Sequence, residues 1–208
     1  MSKYGEYTII SFENEILQIQ EILDISLNVI FFHRYLGNND YEDVQSKPSN
    51  ISYVKLKNEK LSNKILKILN EIENNFKKNI KQYGQRLILK FYEKEKNQKE
   101  LETPWEIWNF ILILSNKEDL KEKKDINNIE EDDKENHIRE YIFKIIEKLN
   151  DKGNYMPNIN IEDESLKEET FFYDIQIEQI PNKEDYLSLF NNFVKKNQEN
   201  IIVINQLS

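Results

Sequence analysis

Two histidines, His33 and His137, supply the chain's only imidazole bases, and neither is accompanied by the rest of a catalytic set. A triad needs a nucleophile, a base and an orienting acid that converge on one point. His33 falls near the end of a strongly apolar segment, where a satisfied, half-buried histidine is the expectation. His137 borders a charged stretch and reads as solvated. Neither has a second ligand at metal-binding spacing. Cysteine is absent, which removes thiolate nucleophiles, thiolate zinc sites and disulfides and fits a reducing, cytoplasmic setting. The glycines, at positions 5, 37, 84 and 153, are too scattered to cradle a phosphate. Carboxylates are densest at Glu130-Glu131-Asp132-Asp133, and a run of this kind reads as a solvated surface. Trp105 and Trp108 could stack a ligand, but the apolar run after them argues for packing in a core. The residue types point to no catalytic centre, no metal and no cofactor. A carboxylate-dependent hydrolase is the alternative from another function class.

The elements that would position these residues can be read from periodicity. At 208 residues the chain suits one domain with an appended tail. A formal net charge of -9 disfavours nucleic acid and anionic lipid as partners, and no basic run is free of intervening acids. No window approaches the ~20 apolar residues of a membrane span, and Met1 to Glu6 lacks the apolar stretch of a signal peptide. Glu6 to Phe12 alternates as an opening strand. From Glu13 to Leu36 the period becomes helical: Ile16, Ile19, Leu23, Ser26, Ile30 and His33 share a face. Leu17, Ile22, Val29 and Phe32 widen it, which predicts a largely buried helix. Asn38 to Asn50 reads as a loop, and Ile51 to Leu56 as a short strand.

Asn58 is placed to cap a second helix with Leu61, Ile65, Ile68, Leu69, Ile72, Phe76 and Ile80 on one side. Gln85 to Glu93 and Trp105 to Leu114 read as strands joined by a charged link, the second covered on both faces. Asn116 to Glu135, with five lysines and nine acids, reads as a mobile charged insertion. A third helix follows from about Asn136 to Asp151, with Ile138, Tyr141, Ile142, Ile145 and Leu149 on its stripe. Glu169 to Glu178 alternates as an antiparallel strand wet on one side. A short helix over about 183–195 and a strand over about 201–204 complete the chain. The class is α+β, with helices on an antiparallel sheet.

Six segments, in order, carry a resemblance. They are Phe32-His33-Arg34-Tyr35-Leu36-Gly37, Ile51-Ser52-Tyr53-Val54-Lys55-Leu56, Leu89 to Lys96, Pro104-Trp105-Glu106-Ile107-Trp108, Tyr155-Met156-Pro157 and Tyr173-Asp174-Ile175-Gln176-Ile177. Together they resemble the autophagy-related protein 101 family, HORMA-domain subunits of the autophagy-initiation kinase complex, over about residues 6–178. The resemblance implies a HORMA-like fold, a mainly antiparallel sheet backed by three helices, with no enzyme activity. It also implies pairing with, and stabilisation of, the HORMA domain of autophagy-related protein 13, recruitment of downstream factors, and residence in the cytoplasm and at the preautophagosomal structure.

Many members of that family carry a Trp-Pro-Phe finger before the Pro-Trp block. Here the loop Asn97 to Thr103 holds no aromatic, and Lys99, Glu100 and Leu101 stand as its remnant. The expected domain spans residues 1–180, with 181–208 as the tail. If the interface follows the family, it uses the third helix through Arg139, Phe143, Ile146 and Glu147, which lie off the apolar stripe. The alternative within binding is a spindle-checkpoint-like HORMA protein whose C-terminal tail closes around a peptide.

Overall fold

A computed structural model describes residues 5–13, 16–35, 40–78, 83–92, 103–114, 131–151, 172–196 and 200–205. The elements run β1 (Gly5–Glu13), α1 (Ile16–Arg34), β2 (Tyr41–Gln45), β3 (Ser52–Leu56), α2 (Glu59–Lys78), β4 (Gly84–Tyr92), β5 (Glu106–Leu114), α3 (Glu131–Leu149), β6 (Phe172–Ile180), α4 (Lys183–Lys196) and β7 (Ile201–Asn205). Five strands form one sheet in the order β6-β4-β5-β1-β7, and β2 and β3 form a separate hairpin. β4 is antiparallel to β5 and β6, whereas β1 is parallel to both β5 and β7. Three of the five pairings are therefore antiparallel, counting the hairpin. The parallel pair β1–β5 needs a crossover, which the intervening helices supply.

The two faces of β5 explain its unbroken apolar run. Trp108, Phe110 and Leu112 point into the main core with α1, α2 and α3. Ile111 and Ile113 point the other way, where Ile10, Ile180, Tyr186 and Phe193 make a second, smaller core under α4. Three helices back one face, as the resemblance implies, and α4 covers part of the other. The segment read as a tail thus starts at the β6 edge, crosses the sheet and adds β7 at the opposite edge.

Twelve of the nineteen residues of α1 are buried. By length and composition α1 is apolar enough to cross a membrane, contrary to the expectation that no segment comes near that threshold. Its composition is accounted for by its place at the centre of the helical layer, where several elements bury it at once. The α2 stripe is buried from Leu61 to Phe76, and the Leu61 N–H donates to Asn58 Oδ1 at 3.0 Å, the expected cap.

Two local expectations are corrected. The loop over 38–50 contains β2, which pairs with β3 from Tyr41↔Leu56 to Gln45↔Ser52. β2 exposes all its residues but the half-buried Val44, so no apolar alternation announces it; backbone pairing alone makes it a strand. α3 begins at Glu131, so the last residues assigned to the insertion are its first turn. Residues 116–130 lie outside the described residues.

The hairpin is tied to α1 by polar contacts. Tyr53 donates to Asp24 Oδ2 at 2.7 Å, and Ser46 and Ser49 donate to Glu21 Oε1. Burial first, then the hydrogen bond to Asp24 and the negative charges of Asp24 and Glu21, push the Tyr53 pKa well above its ordinary value. An unfolded tyrosine ionises near pH ~10. The stability that Tyr53 contributes is therefore complete below that pH and is lost as pH rises towards its folded pKa. Tyr53→Phe is expected to show a shallower fall in urea midpoint between pH 9 and pH 11 than the parent, in roughly the window around the tyrosine value; an identical slope contradicts this. Gly84 abuts β5 so closely that a Cβ would lie 2.5 Å from the Leu112 carbonyl oxygen. Gly84→Ala is expected to lower unfolding free energy by about 1–3 kcal/mol, read from urea denaturation, and an unchanged midpoint would count against this packing.

Candidate functional site

The α3 stripe read from the sequence is the one that packs. Ile138, Tyr141, Ile145 and Leu149 are buried in the main core, and Ile142 is half-buried beside them. Tyr141 is fixed by its hydroxyl, 2.6 Å from Ser26 Oγ of α1, and Ser26 in turn donates to the Ile22 carbonyl. The C-terminal end of α3 is held by a charge. Arg34 Nη1 donates to the Leu149 carbonyl at 3.2 Å, one of the end-of-helix carbonyls that lack an intrahelical partner.

Arg34 owes its place to Glu106. The two are 4% and 1% exposed, and the guanidinium grips the carboxylate with Nε at 2.9 and 3.0 Å and Nη2 at 2.7 Å. Trp108 Nε1 donates to Glu106 Oε1 at 2.6 Å, so the carboxylate is saturated by buried donors. The Trp105 ring lies 5.7 Å from the guanidinium, and Tyr7 stacks on Trp108 at 4.4 Å. The Pro-Trp-Glu-Ile-Trp block is thus a socket for one arginine from α1, and both tryptophans are core residues as expected. Sequence reasoning missed this pair. Its signal was a charged residue inside each of two apolar elements.

On the outer side of α3, Phe143 is 70% exposed, and Arg139 and Glu147 are exposed one turn before and after it. Arg139 donates to Glu135 Oε1 at 2.9 Å through Nε, a surface pair within the helix. Ile146 departs from the expected pattern: it is half-buried and packs against the main core. Arg139, Phe143 and Glu147 therefore share an open face, and Ile146 forms its inner margin. Lys99, Glu100 and Leu101 lie outside the described residues, as do Gly37, Ile80 and Tyr155-Met156-Pro157.

The chemistry is sparse. His33 Nδ1 donates to the Val29 carbonyl at 2.8 Å, the satisfied histidine expected. Among the described residues no group of three or more histidines and acids could hold a metal.

A model of the Autophagy-related protein 101 family matches residues 11–163, well over half the chain. The chain belongs to the Autophagy-related protein 101 family. For this family member, curated proteins offer no match. Among solved structures, one chain of a crystal structure of the mitotic checkpoint complex is similar at a TM-score of 0.49 and 18% identity, covering 83% of this chain and 77% of that one. Five of the six segments that carried the resemblance fall inside the matched span, and Tyr173 to Ile177 lies beyond it, in β6.

Breaking the buried pair leaves a charge without its partner. Arg34→Met is expected to lower unfolding free energy by about 3–5 kcal/mol, while Arg34→Met combined with Glu106→Met recovers part of the loss. A loss in the double variant equal to the sum of the losses in Arg34→Met and Glu106→Met alone, measured by urea denaturation, would show that the pair is not coupled.

Proposed function

We propose that this chain is a non-enzymatic, HORMA-type scaffold subunit of the autophagy-initiation kinase complex, which heterodimerises with the HORMA domain of autophagy-related protein 13 and stabilises it. Family membership supports the autophagy setting. The observation that carries the surface is Phe143, a large aromatic left exposed on a helix whose inner side is locked by Tyr141 and Arg34. Exposed aromatics on rigid elements are the usual anchors of protein interfaces. Arg139 and Glu147, one of each sign, flank it as a polar rim.

The pair would work in the cytoplasm and assemble at the preautophagosomal structure with downstream factors. The finger loop with Lys99, Glu100 and Leu101 offers one aliphatic side chain in place of an aromatic pair, so recruitment through it is expected to be weak.

Co-expression with the same organism's protein 13 HORMA domain is expected to give a 1:1 complex by size-exclusion chromatography with light scattering. Phe143→Asp is expected to weaken that complex by about 30-fold or more in titration calorimetry with an unchanged melting temperature. A stable monomer that ignores the partner, or a Phe143→Asp variant that binds as well as the parent, would overturn the reading.

A further inference from the structure

A groove of about 370 Å³ opens between α1, α2 and the β2–β3 hairpin, and none of its lining belongs to α3. Its walls carry two leucines that the sequence pattern assigned no outward role. Leu17 of α1 is 64% exposed and Leu66 of α2 is 56% exposed. Leu17 was expected to widen the buried surface of α1, and it faces solvent instead. Leu69 and Tyr53 continue the apolar lining inward.

The charges of the groove do not close. Glu21 is only 9% exposed. Its Oε1 accepts from the Ser46 hydroxyl, the Ser49 hydroxyl and the Ser49 N–H, while its Oε2 accepts nothing among the described residues. No lysine, arginine or histidine among the described residues pairs with it. Asp24, one turn further along α1, accepts from Asn28 through Oδ1 and from Tyr53 through Oδ2, again with no cation. Lys47 lines the groove but bonds to neither carboxylate. Hydroxyls and amides solvate a buried carboxylate without supplying the countercharge it lacks. The site therefore presents a deeply set negative charge between two exposed aliphatic side chains. Phosphate backbones and anionic lipid are repelled by it.

We propose that this groove docks a partner polypeptide through one lysine or arginine seated against Glu21 and Asp24, with an adjacent aliphatic side chain set between Leu17 and Leu66. The cation completes Glu21, and the aliphatic group removes the leucine surface from water. This surface is separate from the Phe143 face, so one chain can hold two partners at once.

The test uses the full chain and three synthetic 12-residue peptides on one leucine–alanine helical frame, differing at a single central position: lysine, norleucine or glutamate. Titrations are followed by fluorescence anisotropy and by ¹H–¹⁵N shifts. The lysine peptide is expected to bind at least about tenfold tighter than the norleucine peptide and to shift amides of residues 17–25 and 65–70. Leu17→Ser/Leu66→Ser is expected to weaken it without altering the fold, since both side chains are exposed. Asp24→Asn combined with Glu21→Gln keeps the side-chain size, removes the charge, and is expected to abolish the lysine preference. Binding that ignores the charge, shifts centred on Phe143, or no saturable binding up to about 1 mM would each overturn the proposal.

Discussion

One buried ion pair organises this molecule. Arg34 ends α1, Glu106 begins β5, and the Leu149 carbonyl ends α3; a single guanidinium joins all three. A charge so deep is tolerated only when its partner and its remaining donors are placed within hydrogen-bonding distance. Trp108 and Trp105 wall the pair off from water, and Tyr7 of β1 stacks on Trp108. The requirement is mutual: helix, strand and aromatic wall each depend on the others. It ties the strand that anchors the sheet to the helix that carries the exposed phenylalanine.

That arrangement separates two kinds of surface. The inner side of α3 is fixed by apolar burial and by the Ser26–Tyr141 contact, so its outer side can present Phe143 without collapsing onto the core. At the other flank of α1, the β2–β3 hairpin is fastened by hydroxyls to Glu21 and Asp24. Fastening through carboxylates leaves negative charge at the hairpin's base, where an apolar anchor would leave none. The opposite face of the sheet is ordered by another polar chain: Glu178 and Asn109 both accept from Arg86, and Asn109 donates to Glu6, under the Phe193 ring of α4. The sheet thus carries polar cross-links on both faces.

Elements with a strong apolar period were legible in the sequence. The α2 stripe from Leu61 to Phe76, the two-faced burial of β5 and the alternation of Tyr173, Ile175 and Ile177 all follow directly from side-chain spacing. β2 was not legible, because Tyr41 to Gln45 is a strand by backbone pairing with little to bury. The partners of β1 were not legible either, since a strand's pattern shows its faces and not its neighbours. Of the candidate surface, Phe143 could be placed outward by helical phase alone. Ile146 could not, because its half-burial depends on how close the neighbouring elements come. Arg34 and Glu106 stand 72 residues apart, a pairing that no local pattern encodes.

The measurement that bears most directly on this account is hydroxyl-radical footprinting of the chain alone and with the protein 13 HORMA domain, read residue by residue by mass spectrometry. Phe143, 70% exposed in the free chain, should oxidise readily alone and become protected on mixing. Phe172 and Tyr41, exposed on other elements, should not change. Unaltered oxidation at Phe143, with protection appearing at Phe172 or Tyr41 instead, would contradict the assignment of α3 as the partner-binding face.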